Sequence, residues 1–178
     1  MKYIAFLRGI NVSGRNSIKM AALKAMFESL CFNKVETYIQ SGNVIFEFKA
    51  CDTVSLEVKI KEEISKIFGF HVETMVRTIE ELINIISNNP LAEEVNIEID
   101  KLHVTLLMNE PEEAIIDSLV LKKEENEKYI IRGKEIYLYC PNGYGNTKLN
   151  NTILEKKLKV AATTRNWKTM NKLLEMMK

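Results

Sequence analysis

Long apolar runs are missing from this chain. No stretch approaches the roughly 20 apolar residues that a membrane-crossing helix needs, which argues against an integral membrane protein and a membrane partner. Prolines number three and glycines seven, and no segment is of low complexity, as is ordinary for a globular protein. Only two histidines and three cysteines occur. Cys31, Cys51 and Cys140 are widely spaced, no Cys-x-x-Cys exists, and neither His71 nor His103 has a cysteine at zinc-ligand spacing. The expectation is reduced thiols in a cytoplasmic protein, with no metal and no cofactor. The apolar part of the N-terminal run, Met1 to Gly9, is too short for a signal segment, and no small-residue cleavage pattern follows.

What is present is an ordinary globular composition, 46% hydrophobic and 28% charged over 178 residues. A chain of this length buries roughly 70% of its unfolded surface, enough for one domain or two small ones without disulfides. The formal charge of +1 is unevenly spread. Residues 1–27 hold five bases and no acid; residues 146–178 hold eight bases against Glu155 and Glu175; the middle holds 12 bases and 22 acids. Such ends can make a basic face on a neutral protein. The competing reading is mixed solvated charge with no partner.

Periodicity organises the chain into alternating strands and helices. A strand over 3–8 is followed by a polar loop at 11–16 and a helix from Ser17, with Met20, Leu23, Phe27 and Leu30 on one face. Strands over 35–40 and 43–48 flank Ser41-Gly42, which suits a tight two-residue hairpin. That turn would set Ile39 opposite Val44, Thr37 opposite Phe46 and Val35 opposite Phe48. A helix over 54–68 stops at Gly69, and a strand over 72–77 closes a β-α-β-β-α-β half, the ferredoxin-like plan. Thr78 and Glu81 have the spacing of a capping box for a helix to Ser87, which Asn88-Asn89-Pro90 ends. The second half reads as a strand over 102–108, a short helix over 111–120, a hairpin of 128–132 and 135–140 around Gly133-Lys134, and a helix over 149–158. Residues 159–164 leave little room for a fourth strand, and a last helix carries Trp167, Met170, Leu174 and Met177. The expected class is therefore α+β, two ferredoxin-like lobes with the second incomplete and a C-terminal helix. The expected division is a first lobe over 1–78, a helical connector over 79–100, and a second lobe with the last helix over 101–178.

Two glycine-containing loops precede helices, residues 8–16 and 141–148, and each combines amides with basic residues. Free backbone N–H groups at such places favour anions, although neither loop is a P-loop and a turn with a cap explains each without a ligand. On the first hairpin, the face opposite the apolar set shows Glu36, Tyr38, Gln40, Asn43, Ile45 and Glu47. RNA-recognition domains of this plan stack bases on aromatic residues there, and a single Tyr38 is a poor match. His103-Val104-Thr105 has the form used in pairs by two-histidine phosphoesterases, but His71-Val72-Glu73 lacks the second hydroxyl. Trp167 reads as a core anchor, with Arg165, Asn166, Lys168 and Thr169 clustered at the helix start.

The segments Phe6-Leu-Arg-Gly-Ile-Asn-Val12 with Gly14 and Asn16, Met20 with Leu23, Thr37-Tyr-Ile-Gln-Ser-Gly-Asn-Val44 with Phe46, and Thr163-Thr-Arg-Asn-Trp-Lys-Thr169 together resemble the domain-of-unknown-function family numbered 1697, over nearly the whole chain. Ser13 stands where members commonly have glycine. The resemblance implies a bacterial cytoplasmic protein with ferredoxin-like α+β lobes, and it implies no activity.

From the residues, the first expectation is binding of an anionic small molecule or nucleotide-like ligand in a polar cleft between the N- and C-terminal segments. Arg8 and Arg165 would clamp the anion, while Asn11, Asn16, Tyr38, Gln40, Asn43 and Asn166 would orient it. Alternatives are nucleic-acid binding through the basic ends, a phosphate-ester enzyme that lacks an evident general base, and a protein-interaction module using an exposed sheet face. The sequence assigns no oligomeric state.

Overall fold

The computed structural model describes residues 1–12 and 14–178; Ser13, the serine of the first glycine loop, lies outside the described residues. The chain forms two compact units, Met1–Ile83 together with Leu173–Lys178, and Asn84–Lys172.

In the first unit, β1 (Lys2–Leu7), α1 (Met20–Ser29), β2 (Asn33–Tyr38), β3 (Asn43–Glu47), α2 (Thr53–Phe68) and β4 (Thr74–Thr78) follow one another, and α3 (Ile79–Ser87) begins directly after β4. The strands make an antiparallel sheet in the order β2-β3-β1-β4, with β1 central. Alternation along β1 sends Tyr3, Ala5 and Leu7 into a core with Phe46 and Val76, closed by Leu23 and Phe27 of α1 and Leu56, Ile60 and Ile64 of α2. Phe46 stacks on Phe32 at 4.3 Å and meets Phe27 edge-on at 5.5 Å. Each such ring contributes about 1.5–3 kcal/mol by leaving water. The Tyr3 hydroxyl is satisfied inside this core: it donates to the Cys51 carbonyl and accepts from the Cys51 N–H, both at 3.0 Å.

Helix ends are set by local chemistry. The Asp52 carboxylate caps α2 by accepting from the Ser55 N–H and hydroxyl, and those bonds hold its carboxyl below the usual range. Gly69, at φ +77°, ends the same helix in the left-handed region. Thr78 and Glu81 make the expected reciprocal box: the Thr78 N–H donates to Glu81 Oε2 at 2.8 Å, and the Glu81 N–H donates to Thr78 Oγ1 at 3.2 Å.

In the second unit, β5 (Leu102–Leu107), α4 (Glu113–Asp117), β6 (Lys128–Arg132), β7 (Glu135–Tyr139), α5 (Asn151–Leu158) and β8 (Ala162–Asn166) build a second antiparallel sheet in the order β6-β7-β5-β8, and α6 (Trp167–Met177) follows β8 without a loop. Its core joins Leu107, Ile136, Leu138 and Ala162 to Leu149, Leu154 and Leu158. Among the described residues no helix is long and apolar enough to cross a membrane.

Two expectations need correction. The second half is not incomplete: residues 162–166 form β8, paired along its whole length with β5. The run Ala-Thr-Thr-Arg-Asn has little apolar alternation, because β8 is held by its ladder and by polar side chains. The first hairpin does not use a two-residue turn. Tyr38 faces Asn43 and Thr37 faces Val44, so Ile39 and Gln40 leave the strand. Ile39 takes φ +50°, and a bulge between Asn33 and Glu36 places Lys34 at φ +46°. Near the turn the register moves by two residues, which preserves the predicted division of faces. Residues Leu173–Lys178 at the end of the last helix group with the first unit. Met177 is fully buried, and the Lys2 ammonium donates to the Met177 carbonyl at 3.0 Å. Along that helix, Leu173 is fully buried where the sequence stripe placed Leu174.

Gly42 has φ +79°, and a Cβ there would lie 2.8 Å from both Leu7 Cβ and Ile10 Cδ1, whereas Gly69 has a similar φ with open space around it. Gly69→Ala is therefore expected to cost about 1–2 kcal/mol from backbone strain alone, and Gly42→Ala about 3 kcal/mol because crowding is added. Denaturant unfolding of both variants measures the difference; equal losses would contradict the close packing of the hairpin tip on the first loop.

Candidate functional site

Six of the eight predicted site residues lie in the first unit, and Arg165 and Asn166 in the second. In the first unit, the 8–16 loop and the hairpin tip are tied together. The Leu7 N–H donates to the Gly42 carbonyl, and the Arg8 N–H to the Glu73 carbonyl, both at 2.8 Å. Asn11, at φ +55°, acts as a staple: its amide nitrogen donates to the Gln40 carbonyl at 2.9 Å and the Ile18 carbonyl at 3.0 Å, and its oxygen accepts from the Ile18 N–H at 2.8 Å. Asn43 is fully buried and donates to the Tyr38 carbonyl and Ser41 Oγ. Asn16, at φ +48°, donates weakly to the Gly9 carbonyl at 3.5 Å. Asn11 and Asn43 are thus occupied in shaping the loops. Arg8 and Tyr38 are half-buried, Asn16 is half-buried, and Gln40 is exposed, as are Arg15 and Lys19 on the same loop.

The second unit carries a polar island on the sheet face that its helices cover. The cross-strand pairs His103/Asn166 and Thr105/Thr164 of β5 and β8 occupy the positions where the first sheet has Tyr3/Thr78 and Ala5/Val76. The Thr164 hydroxyl donates to Asn151 Oδ1 at 2.6 Å and accepts from the Tyr144 hydroxyl at 2.9 Å. Its one proton is then used, so Thr105, 2.7 Å away, is the donor of the remaining bond. Burial raises the Tyr144 hydroxyl above its ordinary pKa, so it stays protonated as that network requires. The Tyr144 ring stacks on His103 at 5.0 Å.

His103 is 8% exposed, and its Nδ1 lies 3.1 Å from the Lys101 carbonyl. A carbonyl only accepts, so Nδ1 carries the proton, and Nε2 faces the Asn166 amide nitrogen at 3.5 Å. Asn166 cannot turn around without loss, because its nitrogen also donates to the Asp100 carbonyl and its oxygen caps α6 through the Lys168 N–H at 2.9 Å. Lys168 in turn pairs with Asp100 at 2.6 Å. Burial lowers the His103 pKa below its ordinary 6.5. A neutral, enclosed histidine with both nitrogens placed in this way is not a poised acid–base group. His71 lies in the first unit, with its Nδ1 2.8 Å from Ser65 Oγ.

Arg165 is buried, and its Nη1 donates to Thr163 Oγ1 at 2.8 Å and to the Thr164 carbonyl at 3.0 Å. Burial pulls its pKa down to about 10, which leaves it charged at neutral pH. Cys140 is buried with its thiol pushed up to about 11 by desolvation, an unreactive environment. Among the described residues no three His, Cys, Asp or Glu side chains gather to hold a metal ion.

Sequence reading missed the island as a unit. Its partners Thr164 and Asn166 belong to the strand that was not anticipated, and Asn151 and Tyr144 come from elements whose facing positions only the β5–β8 register reveals. The His-x-Thr spacing was the one visible signal.

These features define an α+β protein of two ferredoxin-like units, each built around a central strand buried on both sides. A family model described as "Protein of unknown function (DUF1697)" matches residues 1–137, and the chain belongs to that family. Conserved bacterial protein SP0830 from Streptococcus pneumoniae has a similar solved structure, with a TM-score of 0.72 and 25% sequence identity over 99% of this chain and 98% of that one. A comparison with curated proteins gives no match.

The His103 arrangement makes stability depend on pH. Because the folded pKa lies below 6.5, the stabilisation is complete above 6.5 and is lost as pH falls through the folded value. His103→Gln is expected to flatten that dependence. Unfolding free energies compared between pH 7 and 5 test this; identical slopes for the two proteins would exclude His103 as the source.

Proposed function

We propose that the protein binds a small anionic ligand through the basic loop of its first unit. The observation that carries this reading is the loop itself: a segment shaped by the Asn11 staple and by positive φ at Gly9, Asn11, Gly14 and Asn16, carrying Arg8, Arg15 and Lys19 within 27 residues that contain no acid. Left-handed conformations cost of order 1 kcal/mol each for residues with a side chain, and here they hold a loop largely outside the core. A loop backbone held in this way lowers the ordering cost at binding, and it carries exposed cations at Arg15 and Lys19. In this reading Arg8 and Arg15 contact the anion and Asn16, Tyr38 and Gln40 orient the rest of the ligand. Asn11 and Asn43 support the loop from behind. Arg165 and Asn166, which have donors engaged within the second unit, are not required.

Nucleotides and sugar phosphates, screened by thermal shift and followed by calorimetry, provide the test. Arg8→Ala and Arg15→Ala are each expected to weaken binding by at least about tenfold, with affinity falling as salt rises. Binding of every such anion at unchanged affinity in both variants would end the reading.

A further inference from the structure

A cavity in the second unit has a composition of a different kind. Its volume is about 460 Å³, within the range of small-molecule sites. Lys122, Lys148 and Lys157 line it, together with the apolar side chains of Val120 and Ile153. Both apolar residues are exposed, Val120 at 73% and Ile153 at 36%, so the wall presents hydrocarbon to solvent beside the cations.

The charges around it are not self-compensating. Lys148 pairs with Glu124 Oε1 at 2.7 Å. Glu127, which is buried and accepts from the Glu124 N–H at 2.9 Å, adds a second carboxylate near Lys148. Lys122 and Lys157 make no ion pair among the described residues. Asn150, also on the lining, caps α5 by accepting from the Ile153 N–H at 3.1 Å, so the positive end of that helix dipole lies at the same wall. An inorganic anion would use the lysines and leave most of the volume and both apolar side chains unused. A neutral apolar molecule would leave two ammonium groups beside it without a partner. The ligand that satisfies both halves has a dianionic head and an apolar body.

We propose that this cavity binds a small organic phosphate monoester, its phosphate held by Lys122 and Lys157 and its apolar part against Val120 and Ile153. The site is separate from the first-unit loop, and neither reading depends on the other.

Phenyl phosphate titrated into the full chain is the probe, followed by calorimetry and by amide chemical shifts. The expected dissociation constant is below about 1 mM, with inorganic phosphate at least about tenfold weaker. Shifted amides should cluster at residues 120–122 and 147–157. The double variant Lys122→Ala/Lys157→Ala, at two exposed positions whose loss should leave the melting temperature unchanged, should lose at least about tenfold in affinity. Arg8→Ala should leave the shifts at residues 120–122 and 147–157 in place. The proposal is overturned by the absence of shifts at residues 120–122 and 147–157 at about 10 mM phenyl phosphate, by equal effect of inorganic phosphate on those residues, or by shifts there that survive the double variant; shifts at residues 8–16 report on the first-unit loop alone. If the double variant melts early, the single Lys157→Gln variant replaces it, and undiminished binding there overturns the proposal equally.

Discussion

Each unit depends on a central strand whose side chains are buried on both faces. In β1 this includes Tyr3 and Ala5 on one side and Ile4 and Phe6 on the other, all fully buried; in β5 it includes Thr105 and Leu107 against Val104 and Leu106. A strand with two buried faces needs hydrogen-bonded neighbours on both edges to satisfy its backbone, and it receives antiparallel ones from β3 and β4 in one unit and β7 and β8 in the other. The split β-α-β-β-α-β connection provides that placement, since it brings the last strand beside the first.

The two units also share chemistry that an end-to-end sequence comparison hides. In both, the last strand runs straight into a helix through an arginine followed by a capping residue, Arg77-Thr78 and Arg165-Asn166. Each arginine is buried, each lies opposite an aliphatic residue of the central strand, Ile4 or Val104, and each donates Nη1 to the carbonyl of the residue before it at 3.0 Å. In both, a glutamate from the second helix, Glu57 or Glu155, accepts an N–H of that last strand at 2.8 Å. The helix-covered faces then diverge. Where the first unit packs Tyr3, Ala5 and Val76, the second has His103, Thr105 and Thr164, joined by hydroxyl and amide bonds. A network of that kind specifies one arrangement strongly because each lost partner leaves a buried polar group unsatisfied.

Much of the fold was legible because its signals are local. The Thr78–Glu81 box, the Gly69 stop and the Gly133-Lys134 hairpin each follow from a few adjacent residues. What escaped was nonlocal. β8 has no apolar alternation of its own and is a strand only because β5 offers it a ladder. The first hairpin has a plausible two-residue turn in Ser41-Gly42, but the Asn43 amide reaches back to the Tyr38 carbonyl and makes the four-residue loop the better-bonded choice. For the candidate site, residue types were readable and residue roles were not. Asn11 and Asn43 look like ligand contacts in a list, and the structure shows their amides committed to backbone partners. Lys122, Lys148 and Lys157 sit too far apart in sequence to suggest a common wall.

The irregularity in β2 has a consequence for how the protein behaves at high concentration. β2 is an outer strand of its sheet, and a regular outer strand would offer its free N–H and C=O groups to the next molecule. The bulge between Asn33 and Glu36, with Lys34 exposed in a left-handed conformation, breaks the spacing of those groups and sets a charge among them. Edge-to-edge growth into fibrils is therefore obstructed on this side of the sheet by one misplaced residue.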